Sequence, residues 1–346
     1  MRKFAILLSG IALAAGGVLA TAPAALAAPA ARAAYPGGAG AVAFIRAGNV
    51  WMAHGDTHGD TQVRITSGGG DSWPRWSPDG EYIAYLHRGN VWISIPSAPG
   101  SEYQVTHEGD VTGAASWSPN DQYLAYWGGT ELGGYLYTVR VELDASGSAV
   151  AVRAPRVLFH FTGTAKAGRR RLAEVRTTPA SRAAATPWSY LRDSTSVAWS
   201  PNGRELAFHG GDCLGIYDDC LSVLVLATGN EIVLAAWGGG GIVQSGFAAV
   251  PAWSADGKLV YWTSQHDNGD STVYPTRILS AAPGGSVVST KARSGDAIAT
   301  PSPAGGTSLL VTASHAGKAW VTLVRGNGAR TYLYQGYQQD WQPIPG

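Results

Sequence analysis

Four histidines, His87, His209, His266 and His315, fall near the same point of a recurring strand pair, and imidazoles gathered from several strands could hold a divalent metal. Alternation along a strand argues against a shared site. His87 lies one position later than His209 relative to the recurring motif, so the two side chains face opposite sides. Asp267, Asn268, Gly269 and Asp270 offer closely spaced oxygen atoms without the ligand order of a calcium loop, and they read as a polar turn. No metal or other cofactor is implied. Gly-x-Ser-x-Gly, a Walker glycine loop, His-Glu-x-x-His and Cys-x-x-Cys are all missing, so the sequence nominates no catalytic residue.

The chemistry that remains is binding and cross-linking. Cys213 and Cys220 are the two cysteines, seven positions apart, and an oxidising compartment would close them into a small disulfide loop. Between Phe161 and Arg192 the chain carries Lys166, Arg169, Arg170, Arg171, Arg176, Arg182 and Arg192 against the single acid Glu174. This basic insertion could contact an anionic polymer or an acidic protein surface, with Arg169, Arg170 and Arg171 at its centre. Trp73, Trp188 and Trp237 stand outside the recurring motif and are candidate ligand contacts, Trp188 lying within the insertion.

Positioning such groups falls to β-strands. The 346 residues include 46 Gly, 19 Pro and 13 Trp beside only two Met, a composition of turns and aromatic-anchored strands. Charged residues are 14% and the formal net charge is +1, which argues against general affinity for nucleic acid. The start of the chain has the pattern of an export signal over residues 1–27, with a basic Met1-Arg2-Lys3, an apolar run and a small-x-small site at Ala25-Leu26-Ala27. Residues 28–41 read as an Ala/Pro/Gly-rich tail. No later segment has the length of a membrane-spanning apolar run. The expected location is therefore the cell envelope or the medium.

A motif recurs as Trp76-Ser77-Pro78-Asp79-Gly80, Trp117-Ser118-Pro119-Asn120-Asp121, Trp199-Ser200-Pro201-Asn202-Gly203 and Trp253-Ser254-Ala255-Asp256-Gly257. Each copy leads into an alternating strand such as Ile83-Ala84-Tyr85 or Leu206-Ala207-Phe208. Weaker copies occur at Pro301 to Gly305 and at Asp340 to Pro343. Proline and Asp-Gly or Asn-Gly supply the dihedrals of a tight strand reversal, so each copy is a hairpin. The spacing is about 40 to 55 residues, with one interval near double that, which is the period of a propeller blade. The last copy lacks its following strands, and unmatched strands at Val42-Ala43-Phe44, Asn49 to Met52 and Gln62 to Thr66 supply them. This predicts an all-β, six-bladed propeller over residues 42–346, closed by pairing its C-terminal strand with the N-terminal blade, with a degenerate seventh blade between Trp117 and Trp199 as the alternative.

The Trp-Ser-Pro-Asp-Gly hairpin followed by an aliphatic-Ala-aromatic strand resembles the WD40-like Pro-Asp repeat of the TolB family, whose propeller is six-bladed. The resemblance runs from about Val42 to Pro343 and implies the fold more than an activity, because the repeat also occurs in propellers of peptidases, lyases and binding proteins. TolB proper carries a further α/β domain ahead of its propeller, whereas here the export signal and a short Ala/Pro/Gly-rich stretch are expected before the first strand. The expectation is an exported, monomeric, non-enzymatic propeller that presents one loop face to a protein or anionic polymer. The alternative is a polysaccharide lyase or hydrolase with its site in the propeller funnel.

Overall fold

A computed structural model of the chain describes residues 39–53, 61–98, 100–129, 134–143, 150–160, 188–241, 244–267 and 274–344. The proposed export signal, the tail up to residue 38, the run 161–187 with Arg169, Arg170 and Arg171, and the turn at 268–270 lie outside them.

The described residues form six antiparallel sheets, five of four strands and one of five. Their inner strands are Tyr337–Pro343, Asp71–Trp76, Ser116–Trp117, Val197–Trp199, Ser245–Trp253 and Ala297–Pro301, which define blades 1 to 6 in that order. Each inner strand contacts the next, and the last contacts the first, so the six surround an axis. Blade 1 is built from both ends of the chain: Tyr337–Pro343 pairs with Ala39–Arg46, bringing Trp341 opposite Val42. The long interval after Trp117 adds strands rather than a blade. In blade 3 the third strand, Tyr135–Leu143, pairs along one part with Arg156–His160 and along another with Val150–Val152.

The hairpin motif is held by its serine as much as by its proline. Ser77 Oγ donates to Asp79 Oδ1 at 2.5 Å and accepts the Tyr82 amide at 2.9 Å. The same pair of bonds recurs at Ser118, Ser200 and Ser254. The residue closing the turn is left-handed in every copy. Glycine takes that conformation freely at Gly80, Gly203 and Gly257, while Asp121 adopts it with φ of 60°. Two of the five anchor indoles tie neighbouring blades: Trp117 Nε1 donates to the Arg75 carbonyl and Trp253 Nε1 to the Ala198 carbonyl.

A second repeated feature shapes the axis. Three residues before the anchor, Trp73, Val250, Ile298 and Gln338 each have positive φ, and the strand register slips beside each of them. Such bulges re-aim one side chain out of the regular alternation. Here Trp73, Val250 and Ile298 turn into one buried cluster that also holds Ala114, Trp188 and Leu191. Residues from blades 2 and 3 share this cluster with residues from blades 5 and 6, which places it on the axis.

Candidate functional site

The two ends of the axis differ. At the start of the inner strands the short 3-10 helix Ser189–Asp193, preceded by Trp188, lies across the axial cluster. Trp188 is 4% exposed and its indole donates to the Gly295 carbonyl at 3.0 Å. Leu191 is fully buried, the Arg192 guanidinium lies over the Phe247 ring, and Tyr190 packs against Trp73. Thr112 Oγ1 donates to the Asp193 carbonyl, tying the helix to blade 3. This end of the axis is filled by side chains.

At the hairpin end the axis is open. A recess of about 180 Å³ is walled by residues from all six blades, with Pro78, Pro119, Pro201 and Pro303 at its rim and the anchors Trp76, Trp117, Trp199, Trp253 and Trp341 behind them. One residue before each anchor, the strand turns a side chain inward, because alternation places it opposite to the buried indole. That position is Arg75, Ser116, Ala198, Ala252, Thr300 and Asp340 around the ring. Arg75 and Asp340 are therefore the two charged groups of the wall, far apart in sequence and neighbours only because the ring closes between blades 1 and 2.

Asp340 has a structural task. Its Oδ2 accepts the Trp76 amide at 2.7 Å, bridging blade 1 to blade 2, as Ser116 Oγ accepts the Trp199 amide between blades 3 and 4. Burial raises its pKa to about 6, opposed by Arg75 and by the amides of Trp76 and Trp341. Arg75 is half-buried, and burial lowers its pKa, opposed by Asp340. A carboxyl whose folded pKa lies above its unfolded value stabilises the fold fully below the unfolded pKa and loses that contribution as pH rises through the folded one. From 3.8 unfolded to about 6 folded, the ionised form costs up to about 3 kcal/mol, less for the solvent that reaches the recess. Asp340→Asn keeps an acceptor for the Trp76 amide. It is expected to match the parent chain at pH 4 and to exceed its stability at pH 8, read from denaturant unfolding at the two pH values.

The histidines do not converge. His87 Nδ1 lies 2.7 Å from Asp71 Oδ1 and His209 Nε2 lies 2.9 Å from Asp219 Oδ2, each within its own blade. His266 stacks on Tyr274 and Trp237, and His315 on Tyr332. Among the described residues no group of three or more His, Cys, Asp or Glu could hold a metal ion. Trp73 and Trp237 are buried, like Trp188. Cys213 and Cys220 form the disulfide, which fastens the 3-10 turn Asp212–Gly215 to the third strand of blade 4, Asp219–Val225. Beside it the half-buried Glu231 accepts the Asp212 and Cys213 amides and the Ser222 hydroxyl, and burial raises its pKa against these bonds.

The column that holds Arg75 and Asp340 was present in the repeat, one place before each anchor. Its signal is the single pair of opposite charges in a column otherwise of Ser, Ala and Thr.

No protein-family model matches the chain, and no curated protein matches it. Solved structures do. TolB from Acinetobacter baumannii is 17% identical over 88% of this chain and 67% of its own, with a TM-score of 0.57. A structure described as putative TolB from Agrobacterium tumefaciens is 18% identical over 88% of this chain and 93% of its own, with a TM-score of 0.52. A chain of a nidogen/laminin complex is 8% identical over 87% of this chain and 98% of its own, also with a TM-score of 0.52. With six blades closed in a ring, the chain shares the six-bladed β-propeller fold of the TolB-type structures.

Proposed function

We propose that this chain is an exported, non-enzymatic propeller that binds a protein of the cell envelope or medium through its hairpin face. The observation that carries the reading is the asymmetry of the axis. One end is packed with Trp188, Leu191 and Trp73, and the other opens into a recess ringed by Pro and Trp. A volume near 180 Å³ falls below the roughly 300 to 1,000 Å³ of small-molecule sites, so it fits one inserted side chain of a larger partner better than a whole substrate. The disulfide accords with an oxidising compartment, and no helix of the described residues is long and apolar enough to cross a membrane. Arg169, Arg170 and Arg171, whose segment ends at Trp188 on the packed side of the axis, are proposed to add a second electrostatic contact to the partner, separate from the recess.

Photo-crosslinking tests this directly. A crosslinker at Pro78 or Pro303 is expected to capture one envelope protein reproducibly, and one at exposed Val288 on an outer strand is not. Replacing the three arginines together should weaken capture at low salt and matter less at high salt. Equal labelling from the recess prolines and from Val288, or turnover of a polysaccharide by the purified chain, would overturn the reading.

A further inference from the structure

The least satisfied charge among the recess residues is Arg75. A guanidinium carries five N–H donors, and buried cations are normally matched by acceptors. Arg75 makes one such bond, from Nη1 to the Pro74 carbonyl at 2.8 Å, and its guanidinium lies 5.9 Å over the Trp73 ring, which leaves its other donors without acceptors among the described residues. Asp340 interacts with it through space, but among the described residues no carboxylate forms an ion pair with it, and the Asp340 oxygens already serve the Trp76 and Trp341 amides. The rest of the wall is Pro, Trp, Ala, Val, Ser and Thr, none of them charged. A partly desolvated fork of donors facing an apolar collar is complementary to a planar oxyanion carried on an apolar stem.

We infer that the Arg75 recess seats a carboxylate borne on an extended segment of the partner protein, either an acidic side chain or a chain terminus. The inference rests on the binding reading above and names its anchor. The size of the recess admits one residue, the proline and tryptophan collar covers the stem of that residue, and the guanidinium takes its two oxygens side by side. Asp340 sets the strength of the contact. While ionised it offsets part of the guanidinium charge. When protonated it leaves Arg75 as the full cation of the wall, so carboxylate affinity rises as pH falls from 8 toward 5.5, where a peptide carboxylate is still ionised. The groups facing Asp340 are Arg75 and the amides of Trp76 and Trp341, and no other wall residue titrates in that range.

Calorimetric titration with short Ala/Pro peptides tests the inference. Four probes are used: a free C-terminal carboxylate, its amide, an amidated peptide with a central Glu, and its Gln counterpart. At least one carboxylate probe should bind tenfold or more tighter than its neutral twin, and which one does tells terminus from side chain. Arg75→Met should erase the difference, and Arg75→Lys should keep part of it. The preference should grow several-fold from pH 8 to pH 5.5 in the parent chain and stay flat in Asp340→Asn. Thermal melts of each variant separate lost binding from lost folding; if Arg75→Met does not fold, Arg75→Lys and the pH series decide. Equal binding of charged and neutral probes, or a preference that survives Arg75→Met, overturns the inference. Tighter binding of an oligogalacturonate than of any peptide would also overturn it, moving the site to an acidic polysaccharide. Should crosslinking from Pro78 succeed while no carboxylate is preferred, this inference alone fails; should both be negative, the binding reading fails with it.

Discussion

Ending the chain after Gly336 should abolish cooperative unfolding and yield an expanded or aggregated product by gel filtration and circular dichroism. The missing strand, Tyr337–Pro343, is the inner strand of blade 1, and the two blades beside it depend on its side chains. Toward blade 2, Gln338 Oε1 accepts the Trp73 amide and Asp340 accepts the Trp76 amide. Toward blade 6, the fully buried Gln339 donates to the Ile298 and Leu310 carbonyls and accepts the Thr312 hydroxyl. Its loss also leaves Ala39–Arg46 as an unpaired edge, which invites pairing between molecules. Burial of Trp341 alone corresponds to about 3 to 5 kcal/mol, against a total stability of roughly 5 to 15 kcal/mol for ordinary domains. A milder version should grade the effect. Gln339→Leu keeps the volume and strands two carbonyls and a hydroxyl, so about 2 to 4 kcal/mol of destabilisation is expected with cooperativity retained. A truncated chain that melts as sharply as the full one would mean that the ring is not closed by this strand.

Breaking the ion pair between Asp296 and Arg330 should be the costliest single charge removal. Arg330 Nη1 and Nη2 lie 2.7 and 2.9 Å from the two oxygens of Asp296, and the side chains are 6% and 5% exposed. The pair links the turn before the inner strand of blade 6 to its outermost strand, Arg330–Gln335, and Asp296 also accepts the Arg293 amide. Asp296→Ala leaves a cation buried without its partner, for which about 3 to 5 kcal/mol is the usual cost. Arg330→Leu in the same background should recover a good part of that loss, because a buried pair replaced by apolar groups is often close to neutral. Denaturant melts of the two single variants and the double variant close the cycle. Independent, additive losses would show that the pair contributes no coupling.

Blade number and ring closure were legible because each blade spells out the same turn. Proline, serine and a left-handed residue fix a reversal wherever they occur, and a period of anchors needs no knowledge of what lies opposite. The mismatch between the two ends was legible for the same reason, since a repeat counted along the chain shows which strands are missing. The role of Ser77 and its equivalents was present in all copies, yet a hydroxyl that both donates and accepts is recognised only when its two partners are in place.

The buried indoles of Trp73, Trp188 and Trp237 show the opposite case. Their types suited a ligand surface, and nothing local revealed that Trp73 sits on a bulge aimed at the axis or that Trp188 closes one end of it. The disulfide needed only the short spacing of Cys213 and Cys220, whereas the separate surroundings of the four histidines needed the sheets. What the amino-acid order determined by itself was the blade, because turn dihedrals and strand alternation are set by near neighbours in the chain. What only the folded ring decided was the site. Arg75 and Asp340 stand at opposite ends of the sequence, and the low-dielectric recess that shifts their ionisation exists only once six inner strands surround it.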